Sequence, residues 1–303
     1  MTAIKTFPYS PAPGWSTTRY DHFSMCKRNY YYQYYAKHDT EFKGPVIDRF
    51  KNLTSVPMET GTIVHQVIAV LLNRLKKTAT AIDRTRFFDF ARHQTLDQLN
   101  AGTFEETVYG STDRIDPDRV FQTVAHCLTQ LLDQERYTWL VDNAGGTADK
   151  WIIDPPGYGE SRLKDLKVYC KVDFLFPVGD ELYIIDWKTG KPDSEKHRKQ
   201  LIGYATWAAY HFDVDASHVR TAVAYLQPNY QEVTEVFNAF DIEQFAIQVR
   251  AETEELYGYC RDTAQNIPKD KSQFARIDDE RVCPYCKFRG LCFPDQYPTD
   301  LPA

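Results

Sequence analysis

Asp186 and Lys188 sit two residues apart at the end of the stretch Leu-Tyr-Ile-Ile-Asp-Trp-Lys, residues 182 to 188. The apolar run Leu182 to Ile185, with two β-branched residues, predicts a strand covered on both faces. Strand side chains alternate faces, so an i, i+2 pair points to one side. Gly190 and Pro192 end the pairing just beyond. A carboxylate and an ammonium held together at a strand end suit one chemistry: the carboxylate holds a divalent cation and the lysine positions or activates a water beside it. An ordinary surface ion pair is the competing reading of Asp-x-Lys alone. Asp173 supplies a second carboxylate, set among Val172, Phe174, Leu175 and Phe176. A carboxylate buried there is costly unless it is paired or metal-bound, and Asp186 on the neighbouring strand is its nearest candidate partner across a cation.

The tail carries a second constellation. Cys283, Cys286 and Cys292 form C-x2-C-x5-C, which puts three thiolates within reach of one metal centre. A fourth would come from Cys26, Cys127, Cys170 or Cys260. Cys127 falls on a helix face and Cys170 in a strand beside the carboxylates. Cys26, flanked by aromatic residues and by Lys27 and Arg28, is the best placed. Such a centre would join the two ends of the chain and close a long loop.

Several elements must position these groups. Leu166 to Phe176 reads as a strand that turns at Gly179-Asp180 into the Leu182–Lys188 strand, a β-hairpin. Ser194 to Phe212 reads as a helix on which Gln200 and Tyr204, four apart, share a face. A helix over 15–35 starts at the N-cap Ser16 and carries Tyr20, Phe23, Cys26 and Tyr30 at helical spacing; its aromatic run Tyr30 to Tyr35 suits either base stacking or core packing. Glu59 to Leu75 is a helix with an apolar stripe from Val64 to Leu75 and His65 near its start, more often a core residue than a ligand. Residues 83–143 read as helical throughout, with Asp116-Pro117 opening one helix. Pro155, Pro156 and Gly157 break the pattern. Val219 to Leu226 and Glu232 to Phe237 pair as strands, and Asp241 with Gln244 opens a helix through Leu256 as a capping box.

Composition sets the bounds. The 303 residues are 43% apolar and 14% aromatic, enough for a real core, and the net charge is −6. Nucleic-acid binding is therefore not announced by global charge and must be local. The basic run from Lys188 through Lys191, Lys196, Arg198 and Lys199 supplies such a local attraction for phosphate. No apolar run reaches the roughly 18 residues of a membrane span. The opening residues lack a signal-peptide core, so a cytoplasmic location is expected, where seven cysteines argue against a disulfide framework. No Walker-type glycine loop is present, so the chain is not a helicase motor.

Taken together, His65, Asp173, Asp186-Trp187-Lys188 and Gln200-x3-Tyr204 resemble the PD-(D/E)XK nuclease superfamily in its RecB-like branch, in the family's order. With Cys26, Cys283, Cys286 and Cys292 the chain looks like the iron–sulfur subgroup, which includes CRISPR-associated adaptation nucleases and the nuclease domain of bacterial helicase–nuclease complexes. The resemblance implies an α/β fold with a restriction-endonuclease-like core, a central mixed sheet flanked by helices. It implies one nuclease domain over 1–303, a helical insertion at 60–150, and an iron–sulfur region formed by 15–35 with 280–295. His65, Asp173, Asp186 and Trp187 would hold Mg²⁺ or Mn²⁺, Lys188 would orient the attacking water, and Gln200 and Tyr204 would support the site and touch DNA. The four cysteines would hold a [4Fe–4S] cluster. The implied activity is hydrolysis of DNA phosphodiester bonds, with exonuclease action on single strands or duplex ends as the expected mode, in repair, recombination or CRISPR adaptation beside a helicase or adaptation proteins and away from membranes. Two departures stand out: Cys170 occupies the family's usual glycine position three residues before the first metal aspartate, and position X of the (D/E)-x-K motif is Trp187. The rival expectations are a non-catalytic DNA-binding or assembly module, and a zinc-stapled structural protein in which Asp186 and Lys188 merely pair.

Overall fold

Ile184 and Ile185 lie, as the apolar run predicts, in a strand, Glu181–Lys188, at the centre of a mixed sheet. The computed structural model describes residues 5–78, 80–155, 159–299 and 301. The chain divides into two compact units, and the sheet belongs to the one made of Met1–Phe7, Pro57–Asn100 and Asp116–Gln248. Its strand order is Ile152–Ile153, Phe174–Val178, Glu181–Lys188, Val219–Tyr225 and Gln231–Val236. Glu181–Lys188 and Val219–Tyr225 run parallel, and the other pairs are antiparallel. A parallel pair needs a crossover, which the helix Ser194–Phe212 supplies. The tight turn at Gly179-Asp180 joins Val178 to Glu181 as the hairpin spacing requires, with Gly179 at φ +57° where a side chain would be strained. The fold is thus mixed α/β, a central mixed sheet with helices.

The single strand expected over 166–176 is two. Leu166–Tyr169 pairs with Glu160–Leu163 in a separate hairpin. Cys170 still donates its N–H to Gly159 O (3.0 Å), whereas Asp173 O accepts from Asp154 N–H (2.9 Å). The chain changes sheets between those two residues, so Asp173 stands just before Phe174–Val178 rather than inside a strand. The helical stretch expected over 83–143 is also interrupted, into Arg84–Ala101, Pro117–Leu132 and Glu135–Thr147, with a short helix Glu105–Val108 between the first two. Asp116 caps the Pro117 helix as its sequence predicts, accepting from the N–H groups of Asp118 and Arg119. The expected box of Asp241 with Gln244 is displaced by three residues. Asn238 Oδ1 accepts from Asp241 N–H and Asp241 Oδ2 from Asn238 N–H, both at 3.0 Å, and the helix runs Ala239–Tyr257. Of the expected break at 155–157, Pro156 and Gly157 lie outside the described residues.

The edge strand is held to the helix Glu135–Thr147 by Arg136, whose Nε and Nη2 approach Glu232 Oε2 and Oε1 at 3.0 and 2.5 Å. Tyr230 OH also donates to Glu232, at 2.9 Å. Burial alone would raise the pKa of Glu232, but the hydrogen bonds and charge of Arg136 hold it below the ordinary 4.5. A carboxyl with a depressed folded value contributes stability above its unfolded pKa and loses it as pH falls through the folded one. Arg136→Ala should therefore cost about 2–4 kcal/mol at neutral pH, by leaving a largely buried carboxylate unpaired. Urea melts should show the gap between wild type and variant closing in acid below the ordinary glutamate range.

The second unit comprises Pro8–Val56, Ala101–Ile115 and Val249–Ala303. The helix expected over 15–35 breaks into Thr17–Met25 and Lys27–Tyr35. Ser16 caps the first as predicted, accepting from Arg19 N–H. Cys26, at φ −161° and ψ 119°, is extended and forms the joint between the two helices. Tyr30, Tyr31, Tyr32 and Tyr35 are fully buried and pack on Phe274 and Phe288. That favours the core-packing reading for these four rings, because buried rings offer no face to a base, while Tyr34 is half-buried. Trp15 Nε1 donates to Glu252 at 2.7 Å, tying the first and last segments of the unit. Among the described residues no helix is long and apolar enough to cross a membrane.

Candidate active site

Asp186 and Lys188 project from the same face of the central strand, as their spacing requires, with Lys188 Nζ 2.6 Å from Asp186 Oδ2. Asp186 is only 2% exposed. Its Oδ1 accepts from Tyr204 OH at 2.6 Å and Gln200 Nε2 at 2.9 Å, and Gln200 Nε2 also donates to Tyr204 OH at 2.6 Å. The four-residue spacing of Gln200 and Tyr204 thus lets one helix grip one carboxylate oxygen. The other oxygen, Oδ2, is buried and meets the Lys188 ammonium at 2.6 Å, and no other donor reaches it among the described residues. Asp173 Oδ2 accepts from Trp187 N–H at 3.0 Å and lies 3.2 Å from His65 Nδ1.

The helix Val56–Leu75 carries His65. One turn earlier, a Cβ on Gly61 would come within 3.2 Å of Thr189 Oγ1, so glycine allows this helix to lie close to the end of the central strand. His65, Asp173 and Lys188 line a cavity of about 600 Å³ together with Met58, Asp154 and Lys171. Sequence reading did not single out Met58, Asp154 or Lys171. Lys171 pairs with Asp154 at 2.6 Å on the rim, a pairing across 17 positions that no local pattern encodes.

The electrostatics fit two carboxylates held close. Burial first, and the charge of Asp173 second, push the pKa of Asp186 up against the opposing effects of Lys188 and Tyr204. For His65, burial acts to lower the pKa, but the hydrogen bond and charge of Asp173 with the charge of Asp186 outweigh it, and the net direction is up. The Asp186 shift is first an effect of burial and second of the Asp173 charge, whereas the His65 shift reports the negative charge of the two carboxylates beside it. Among the described residues no three His, Cys, Asp or Glu side chains stand in a ready-made metal cage. The donor set nevertheless suits a hard dication: two carboxylates, one of them buried with only Lys188 at its second oxygen, and an imidazole. Trp187 is buried and donates its N–H to Asp173, and its indole has no oxygen, so it could serve such an ion only through its main-chain carbonyl.

A model of the PD-(D/E)XK nuclease superfamily matches residues 14–293. The chain belongs to that superfamily. Its proteins are nucleases, acting on nucleic acid and generally using Mg²⁺ or Mn²⁺. No curated protein matches the chain. The solved structure of SSO0001 is similar over 58% of this chain and 74% of its own, at 16% identity and a TM-score of 0.31, too partial a likeness to bear on fold or function.

In this PD-(D/E)XK chain the cysteines fall in both units. Cys26, Cys283, Cys286 and Cys292 belong to the second, as does Cys260, whereas Cys127 and Cys170 belong to the first. The Cys286 thiol is pushed up by burial and by its neighbours Cys26 and Cys283. Cys292 is pushed up to about 12 by burial, then by Cys286 and Cys26. Cys26 therefore stands among the tail cysteines. Cys260 instead faces Tyr35 OH at 3.5 Å, and Cys127 accepts from Gln227 Nε2 at 3.3 Å. Cys170 lies against Gly203 O. Asn29, missed by sequence reading inside an aromatic run, donates to Cys286 Sγ at 3.2 Å.

Of the expected DNA-binding residues Lys191, Lys196, Arg198 and Lys199, three have described side chains. Lys191 is exposed. Arg198 pairs with Glu235 at 3.0 Å and lies over the Phe237 ring. Lys199 lines a shallow groove of about 400 Å³ with Glu195, Arg198 and Gln244. The side chain of Lys196 lies outside the described residues.

Proposed function

We propose that the chain is a Mg²⁺- or Mn²⁺-dependent deoxyribonuclease of the RecB-like iron–sulfur branch, acting on single-stranded DNA or duplex ends. The observation that carries this reading is the buried Asp186 carboxylate, with Lys188 Nζ 2.6 Å from Oδ2 and a second carboxylate, Asp173, raising its pKa. A divalent cation bound by Asp173, Asp186, His65 and the Trp187 main chain would supply the Lewis acidity that polarises a phosphate and eases deprotonation of water. The protein's own groups do the rest. Gln200 and Tyr204 hold Asp186 Oδ1, which leaves Oδ2 to Lys188 and the cation. Trp187 N–H fixes Asp173. The Lys188 ammonium, a hydrogen-bond donor at the cavity wall, orients the attacking water or a phosphate oxygen. Cys26, Cys283, Cys286 and Cys292 are the proposed ligands of a structural [4Fe–4S] cluster, and residues 60–150 the helical insertion of a single nuclease domain. Lys191, Lys196, Arg198 and Lys199 attract the DNA backbone, with Arg198 exchanging Glu235 for phosphate. A helicase or CRISPR adaptation proteins are the proposed partners.

A labelled single-stranded oligodeoxynucleotide should be degraded with Mn²⁺ and left intact with EDTA. Lys188→Ala should slow turnover about 100-fold, the scale of a lost proton-handling or orienting group, while the Mn²⁺-induced rise in melting temperature persists, because an ammonium is no ligand for a dication. A second reading is a non-catalytic DNA-binding module, favoured by the ion pairs that Lys188 and His65 make with both carboxylates. Metal-independent DNA binding with no cleavage at any metal concentration would decide for it.

A further inference from the structure

Lys171 and Asp154 line the same cavity as His65, Asp173 and Lys188, and all five belong to the unit that holds the sheet. They meet because the chain changes sheets at this point. Asp154 N–H donates to Asp173 O at 2.9 Å, which sets Asp154 alongside the carboxylate segment, and Lys171 stands two residues before Asp173. Lys171 Nζ lies 2.6 Å from Asp154 Oδ1. Asp154 is held there against a backbone preference: its φ of +36° falls in the left-handed region that few residues with a side chain enter. The carboxylates beside the three cations of this wall differ in exposure. The side chains are 3% exposed for Asp186 beside Lys188, 20% for Asp173 beside His65 and 49% for Asp154 beside Lys171. A buried ion pair is costly to break, whereas an exposed one is screened by water and contributes little. Lys171 is thus the cation of the wall that can leave its carboxylate at the smallest cost.

We infer that Lys171 binds a backbone phosphate of the substrate strand at the cavity mouth, next to the phosphate that is cleaved, and that Asp154 is the counter-ion this phosphate displaces. A lysine ammonium carries three donors on a flexible stem and binds phosphate as a point charge. It can therefore turn from Asp154 to a phosphate oxygen without any movement of the backbone. The carboxylate it leaves is half exposed and returns to water, so the exchange costs little. In the empty cavity Asp154 neutralises Lys171, and during binding it competes with the substrate for the same ammonium. The two residues thus act on affinity with opposite signs. Lys171 holds a phosphate that does not react, so its loss weakens substrate and transition state alike, which raises KM more than it lowers kcat.

The inference rests on the nuclease reading above, and its test separates the two. In steady-state cleavage of a single-stranded oligodeoxynucleotide, Lys171→Ala should raise KM about tenfold, the effect of one lost charge-assisted hydrogen bond. Asp154→Asn, which keeps a residue tolerant of positive φ, should lower KM by about threefold, the scale of one exposed ion pair. The double variant should match Lys171→Ala, because Asp154 acts only through the lysine, and Lys171→Arg should keep most of the binding. A set of oligonucleotides each carrying one neutral methylphosphonate should contain a position that weakens wild-type binding by the same factor and leaves Lys171→Ala unaffected. A pair with a purely structural role would lower the melting temperature in both single variants and move KM in one direction, which overturns the inference. Additive effects in the double variant overturn it too, since they mark two distant charges acting independently. Wild-type KM in Lys171→Ala with active wild-type enzyme does the same and leaves the nuclease reading standing. If the wild type does not cleave, the nuclease reading fails. Metal-free binding of the same oligonucleotides then decides: opposite shifts in the two single variants support the contact, and unchanged binding in both overturns it.

Discussion

Asp186→Asn should abolish cleavage, by at least about 10³-fold in kcat/KM, and should at the same time raise the melting temperature of the metal-free protein. The first effect follows from losing the anionic oxygen that faces the proposed cation. The second follows from burial. Asp186 has its pKa raised by desolvation and by Asp173, so keeping it ionised in the folded state at neutral pH costs stability. Asparagine keeps an oxygen for Gln200 and Tyr204 and removes the charge, so a gain on the order of 1 kcal/mol is expected. Groups retained against stability are a mark of functional sites. Saturating Mn²⁺ should reverse the ranking: at a hundred times its dissociation constant a ligand stabilises by about 2.7 kcal/mol, and the variant should show little of this. Full cleavage by Asp186→Asn, or an undiminished Mn²⁺ shift in it, would sink the assignment of this carboxylate.

Cys26→Ser should have the largest effect on stability. If the four cysteines hold an iron–sulfur cluster, the variant should fall well below the roughly four irons per chain of such a centre, lose its brown colour and become protease-sensitive in residues 8–56 and 249–299. A cross-link between segments so far apart in sequence contributes about 3–5 kcal/mol by restricting the unfolded chain, and metal binding is then coupled to folding. Burial gives the effect a second source: the raised pKa values of Cys286 and Cys292 mean that packed thiolates need a cation to stay ionised. Cys127→Ser is the control, since Cys127 sits in the other unit bonded to Gln227, and its iron content should be unchanged. A colourless protein with stoichiometric zinc would replace the cluster by a structural zinc site. Full iron retention in Cys26→Ser would move the fourth ligand to another cysteine.

The central strand and its Asp-x-Lys pair were legible because both depend on the two-residue period, which needs no knowledge of partners. The Gly179-Asp180 turn and the cap at Asp116 were legible for the same reason: each is a local rule satisfied locally. What escaped the sequence depended on partners elsewhere in the chain. Leu166–Tyr169 and Phe174–Val178 have similar composition, and nothing in either says that they join different sheets, which is why Asp173 was expected within a strand. No glycine or proline marks the helix break at Cys26. The joint sits where the chain turns a thiol toward cysteines more than 250 positions away. Asn238 was overlooked as a cap because Asp241 followed by Gln244 offers the same three-residue spacing one turn later. The tyrosine run read equally as a stacking surface or a core, since aromatic residues nearly all round a helix name no exposed side.

The composition of the second unit has a consequence for how the chain is made. Its first helices, Thr17–Met25 and Lys27–Tyr35, are synthesised before any strand of the central sheet, yet the tyrosines of the second pack on Phe274 and Phe288. The sheet has all its strands by Val236 and can begin to form as soon as they emerge. The earliest tyrosines must meanwhile stay uncovered until residues 274–288 arrive, at a few seconds or more of synthesis later. Order of birth and order of burial are thus reversed in the two units. A chain cut short before residue 274 would carry its complete sheet and carboxylates alongside four tyrosines that lack Phe274 and Phe288, a ready signal for chaperones and proteases that the chain was left unfinished.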